Sequence, residues 1–167
     1  MSKTLGKVTA SDMTDTLDYE MKIPVVNGLN TLLADEYGLF TKTLNYHWNI
    51  TGPRFHSLHE FLEGHYRELL DIMDSVAERV RFLGETPLST VSALKAEMKI
   101  PETEGEKLSD IEMLEDLLRA NISLQSKIKQ LVKTPELSKR DPGTEDFLIG
   151  VLRQHEKMSW MLRSHLQ

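Results

Sequence analysis

One stretch of this chain gathers residues that bind metals. Between positions 55 and 83 lie His59, Glu63, Asp74 and Glu78. His59/Glu63 and Asp74/Glu78 are each spaced i, i+4, so on a helix each pair shares a face. At about 100° per residue, the step from His59 to Asp74 is a net rotation of roughly 60°, and that from Glu63 to Asp74 roughly 20°. All four side chains fall within an arc of about 100°. An imidazole with three carboxylates suits Fe(II), Mn(II) or Zn(II) better than Cu(I). His47 is the natural fifth candidate, because it ends the preceding helical pattern just before the Gly52-Pro53 turn.

Distance limits what one copy can do with this set. His59 and Asp74 stand about 22 Å apart along a helix axis, whereas metal–ligand bonds are about 2.0–2.2 Å. One helix cannot bring both pairs to one ion, but two antiparallel copies can. The pairs 59/78 and 63/74 have the same centre, between Glu68 and Leu69. A two-fold axis at that point sets His59/Glu63 of one chain against Asp74/Glu78 of the other. The contact is isologous and creates two identical sites per dimer.

The elements that must position these residues are legible as helical periodicity. Helix A is predicted from about Pro24 to Trp48, with Val25, Val26, Leu29, Leu32, Leu33, Phe40 and Leu44 on one stripe and Pro24 at a first helical position. Helix B is predicted from about Phe55 to Leu83, carrying Phe55, Leu58, Leu62, Tyr66, Leu69, Met73, Val76, Val80 and Leu83, with Gly84 ending it. A short helical piece is expected over 89–98. Helix C opens at the capping-box pattern Ser109-Asp110-Ile111-Glu112 and stops near Pro135. Its stripe includes Leu114, Leu117, Ile122 and Ile128. Helix D follows Asp141-Pro142-Gly143. Short A–B and C–D links with one long B–C crossover predict an all-α, ferritin-like four-helix bundle over 24–167. Residues 1–23 are expected to form a flexible arm.

Composition excludes several alternatives. The 167 residues suit one domain, and their 40% apolar and 28% charged content is that of a globular protein. Cysteine is absent, which removes zinc-thiolate sites, iron–sulfur ligation and thiol catalysis. The net charge of −6 argues against a broad nucleic-acid footprint. There is no apolar signal segment and no run of about 18 apolar residues, so a cytoplasmic location without a membrane partner is expected.

The stretch Tyr46-His47-Trp48-Asn49-Ile50-Thr51-Gly52-Pro53, followed by Phe55, Leu58-His59, Asp74, Ala77-Glu78-Arg79 and Leu83-Gly84, resembles the signature of the Dps family, the miniferritins also called DNA-binding proteins from starved cells. The pattern from His155 through Trp160 to Arg163 looks like that family's last helix. The resemblance implies a hollow dodecamer of isologous dimers that oxidises Fe(II), preferably with hydrogen peroxide rather than dioxygen, and stores the ferric product, protecting the cell from oxidative damage. It places the iron ligands on His47, His59, Glu63, Asp74 and Glu78, with His47, His59 and Glu63 from one chain and Asp74 and Glu78 from its partner. Iron is the expected metal, with Zn or Mn as substitutes. The family usually has Asp at the position of Glu63, which adds one methylene. Trp48 is either a quencher of stray oxidising equivalents or a core aromatic. Asp141, Glu145 and Asp146 either line an entry pore, Asp146 matching best, or cap and complement a helix start.

Rival readings are weighed on the same residues. His59-Glu60-Phe61-Leu62-Glu63 misses the HExxH protease motif, because Glu63 stands where its second His belongs. None of the six histidines completes a Glu-x-x-His motif, which argues against a di-iron bundle with all ligands in one subunit. His56, His65, His155 and His165 are expected at the surface. A nucleoid DNA-binding role would need a basic arm. Residues 1–23 set Lys3, Lys7 and Lys22 against Asp12, Asp15, Asp18 and Glu20, so DNA binding is expected to be weak or absent. In a plain helical scaffold, the acids of helix B would be only a solvated face.

Overall fold

The computed structural model describes residues 19–103 and 108–167. They form six helices and no strand: α1 (Tyr19–Asn49), α2 (Phe55–Phe82), α3 (Val91–Glu97), α4 (Asp110–Val132), α5 (Pro135–Arg140) and α6 (Pro142–His165). The long helices α1, α2, α4 and α6 are the predicted A to D. α1 packs on α2, α4 on α6, and α1 on α4. The crossover from α2 to α4 carries α3, which lies against α1. Leu29, Leu32, Leu58, Leu62, Leu69, Leu114, Leu117, Leu124, Leu148 and Leu162 are buried in one core.

Several boundaries follow from local chemistry. Gly84 adopts φ 80° just past α2, the left-handed conformation that glycine tolerates. The Ser109 hydroxyl accepts from Glu112 N, and the Glu112 carboxylate accepts from Ser109 N at 2.7 Å, completing the capping box. The Ser109 hydroxyl and then its backbone N–H hold the Glu112 carboxyl below the usual range. Asp141 caps α6 by accepting from Thr144 N at 2.9 Å.

Two boundaries depart from the sequence reading. α1 starts at Tyr19, and Pro24 lies inside it instead of opening it. Proline lacks an N–H, so one hydrogen bond to the residue 20 carbonyl is lost. The added turn is held by Lys22, which is buried and pairs with Glu85 at 2.9 Å. Residues 19–23 of the expected arm therefore belong to α1, and its residues 1–18 lie outside the described residues. α5 was not anticipated: Pro135 ends no more than α4 and opens a new turn at N1, with Leu137 buried beneath it.

Polar side chains tie the crossover to the bundle. Asp35 Oδ1 accepts from Lys99 N at 2.5 Å and Ile100 N at 3.1 Å, and its other oxygen pairs with Lys127. Asn30 Oδ1 accepts from Leu88 N at 3.0 Å. At the opposite end, Arg54 joins Asp110 at 2.6 Å and donates to the His165 carbonyl at 3.4 Å, fastening the start of α2 to α4 and α6.

Candidate metal centre

The centre is built where α1 ends and α2 begins. Tyr46 is buried, and its hydroxyl donates to Asp116 Oδ2 of α4 at 2.7 Å; Lys42 Nζ reaches the same oxygen at 2.6 Å. Burial pushes the Tyr46 phenol above its ordinary value. Burial alone would also raise the Asp116 carboxyl, but hydrogen bonds from Lys42 and Tyr46 hold it low. This anchor fixes one face of α1, so the next residue, His47, is aimed at α2. Gly52, with φ 103°, then turns the chain, and Phe55 N donates to Gly52 O at 3.0 Å as α2 starts.

His47 and His59 meet across that turn. Their rings stack with centroids 3.8 Å apart at 21°. His47 Nδ1 lies 3.0 Å from the His59 carbonyl, and His59 Nδ1 lies 2.9 Å from the His47 carbonyl. A carbonyl can only accept, so both Nδ1 atoms carry protons. The His47 carbonyl is available because a helix leaves its last carbonyls without internal partners. Each imidazole is thereby fixed in the tautomer that leaves Nε2 with a lone pair, the arrangement a metal-binding histidine requires. Tyr66 packs edge-on against His47 at 5.2 Å, and Phe55 lies 5.0 Å from His59. His47 is buried and His59 half-buried.

The remaining candidates are spread along α2. Glu63 is one turn beyond His59 and pairs with Arg67 at 2.5 Å. Asp74 and Glu78 are exposed, about four turns or more beyond His59 along the helix. Among the described residues of one chain, no group of three or more His, Asp or Glu side chains could hold an ion. The structure therefore brings together His47 and His59, keeps Glu63 close in sequence, and leaves Asp74 and Glu78 remote.

Other expectations are revised. Trp48 is 69% exposed, so it is no core aromatic of this chain. Asp141 is buried, caps α6 and meets Arg79 at 3.2 Å; it faces the chain's own interior, and only Asp146 of the three pore candidates is exposed. His56 is exposed and His165 half-buried. His65 and His155 are buried, contrary to the surface expectation. His155 sits in a polar network that was not foreseen. Its Nε2 faces Glu36 Oε1 at 2.7 Å, and its Nδ1 faces Asn121 Oδ1 at 2.9 Å.

His65 lies against Phe61, and its Nε2 has no hydrogen-bond partner among the described residues. Burial, then His165 and Lys157, push its pKa down to about 4. The unfolded chain takes up this proton at about pH 6.5. Stability is therefore complete above about pH 6.5 and declines as the pH falls toward 4. Thermal melts of metal-free protein across that window should show the decline, and His65→Leu should flatten it. An unchanged slope would assign the decline to other groups.

A ferritin-like domain model matches residues 26–167. The chain is 37% identical over 148 residues to a low temperature-induced protein of Nostoc, covering 89% of this chain and 83% of that one. It is 34% identical to DNA protection during starvation protein 2 of Bacillus anthracis, covering 87% of this chain and 99% of the relative. The crystal structure of a Vibrio cholerae Dps protein, described as a member of a broad superfamily of ferritin-like diiron-carboxylate proteins, superposes with a TM-score of 0.85 at 27% identity, over 93% of this chain and 98% of that one.

Proposed function

From the premise that the chain belongs to the Dps family of ferritin-like proteins, we propose that it oxidises Fe(II) at sites shared between two copies and stores the ferric product inside a closed shell, twelve subunits in the family's pattern. The observation that carries this reading is the crossed pair of imidazoles, His47 and His59, each held with Nδ1 on the other's backbone and Nε2 left open. Glu63 lies on the same side of the shared site. Asp74 and Glu78 come from the partner copy, because on their own chain they lie about 22 Å or more from His59 along the helix. Trp48, 69% exposed, Phe55 and Leu70 leave apolar surface on this chain, which supports a second copy covering it.

The chemistry follows from the ligand types. Carboxylates favour Fe(III) over Fe(II), so Glu63, Asp74 and Glu78 lower the cost of removing an electron. Hydrogen peroxide takes one electron from each of two ions: two Fe(II), one H₂O₂ and two protons give two Fe(III) and two waters. No hydroxyl radical leaves the site when both electrons are delivered together. The position of Trp48 beside His47 supports a role as electron donor to any stray oxidant. Asp146 remains the acidic candidate for an entry pore. A cytoplasmic setting fits this role; among the described residues no helix is long and apolar enough to cross a membrane.

Stopped-flow oxidation of Fe(II), with peroxide against dioxygen, tests the reading. Faster oxidation with peroxide is expected, at a stoichiometry near two Fe(II) per peroxide. Equal rates would remove the peroxide preference, and no Fe(II) binding under anaerobic titration would favour the scaffold.

DNA should bind weakly. Lys22, one of three lysines in the first 23 residues, is buried and paired with Glu85, which leaves fewer cations for phosphate. A gel shift at about 100–150 mM salt should show no stable complex. Tight complexes there would overturn this expectation.

A further inference from the structure

Glu63 is the only proposed iron ligand that the structure shows engaged by a cation. Arg67 Nε donates to Glu63 Oε1 at 3.0 Å and Arg67 Nη2 to the same oxygen at 2.5 Å. Pairs of this kind on a helix surface are common and contribute little to stability. Position gives this one a consequence. Glu63 stands one turn after His59 and one turn before Arg67 on α2, so its carboxylate has a metal-side neighbour and a cation-side neighbour. Glutamate's extra methylene, compared with aspartate, lets the carboxylate swing between them.

We propose that Arg67 competes with the incoming metal ion for Glu63 and so sets the affinity of the ion position that Glu63 serves. The inference rests on the shared-site reading above. An ion can use Glu63 only if the carboxylate leaves the guanidinium or is shared with it, and Arg67 places a positive charge beside an incoming dication. The two ion positions of each site are then unequal: the one served by the partner's carboxylates fills first, and the one nearer Glu63 fills last. An unequal pair delays oxidation until iron is plentiful enough to fill both positions, which favours the two-electron reaction.

Calorimetric titration of metal-free assembled protein with Zn(II), which cannot be oxidised, reads this directly. The variants are Arg67→Gln, Glu63→Gln and the double substitution; Arg67 is exposed, so its loss leaves the fold intact. Wild type should show a tighter and a weaker class of site. Arg67→Gln should tighten the weaker class by about two- to fivefold, the scale of an exposed ion pair, and leave the tighter class unchanged. On the Glu63→Gln background the same change should have no effect, because the competition acts through the carboxylate. An unchanged weaker class in Arg67→Gln, or an equal gain without Glu63, overturns the proposal. If wild type binds no Zn(II), or binds it equally well as Asp74→Asn, the shared-site reading itself falls, and the competition with it.

Discussion

Two inactive variants should rescue each other. His59→Ala removes an imidazole and Asp74→Ala removes a carboxylate, and each alone should slow Fe(II) oxidation by about 100-fold or more, since even residues that only orient metal ligands cost 10- to 100-fold. In a mixed dimer the two losses fall unevenly. One site receives the altered His59 end of one chain and the altered Asp74 end of the other, and loses both groups. The second site receives His59 from the Asp74 variant and Asp74 from the His59 variant, and is intact. Random reassembly makes about half the dimers mixed, each with one of its two isologous sites restored, so about a quarter of wild-type activity should return. Variants mixed without dissociation should stay inactive. If all ligands belonged to one chain, no mixture would recover. That outcome would refute the shared site, while near-normal activity of either single variant would refute the ligand set.

The helices were legible because burying one side of a helix imposes a 3.6-residue repeat. Leu58, Leu62, Leu69, Val76 and Val80 were read as one stripe and are buried together. Periodicity does not say which side of a stripe meets another chain. Phe55 and Ile122 belong to predicted stripes yet are exposed here, at 44% and 49%. A short turn keeps His47 near the start of α2, but the crossed hydrogen bonds with His59 depend on the helix end leaving the His47 carbonyl open, and no spacing rule states that. The partnership of Glu63 with Arg67 was readable as i, i+4, whereas its place between two competitors emerges only once His59 has a role. A clearer signal passed unread. Glu36 falls in register with Leu29, Leu32, Leu33 and Leu39; Asn121 with Leu114, Leu117, Leu124 and Ile128; His155 with Leu148, Val151, Met158 and Leu162. A polar residue on an apolar stripe on each of three packed helices is the sequence mark of a buried polar network.

That network should govern stability more than any other polar group in the chain. His155→Leu is expected to destabilise the fold strongly, Glu36→Gln mildly, and the double substitution Glu36→Leu/His155→Leu far less than His155→Leu alone. Glu36 and His155 are fully buried and 2.7 Å apart. Asn121 Nδ2 donates to the Leu117 carbonyl at 3.0 Å, so its oxygen faces His155 Nδ1 and that nitrogen is a donor. One proton therefore lies between His155 Nε2 and Glu36, and the pair is neutral as a whole. Glu36 Oε2 has no hydrogen-bond partner among the described residues. Taking away the imidazole leaves a lone carboxyl in an apolar core, and breaking a buried pair in this way costs about 3–5 kcal/mol. At about 2–4 °C per kcal/mol for a chain of this size, Tm should fall by roughly 10 °C. Glutamine keeps a hydrogen bond to Nε2 without the charge. Two leucines remove both polar groups, and apolar replacement of a buried pair is often neutral or stabilising. Thermal melts at one protein concentration, with the oligomer intact, give the ranking. If Glu36→Leu/His155→Leu were as unstable as His155→Leu, packing at position 155, and not the stranded carboxyl, would be the cause.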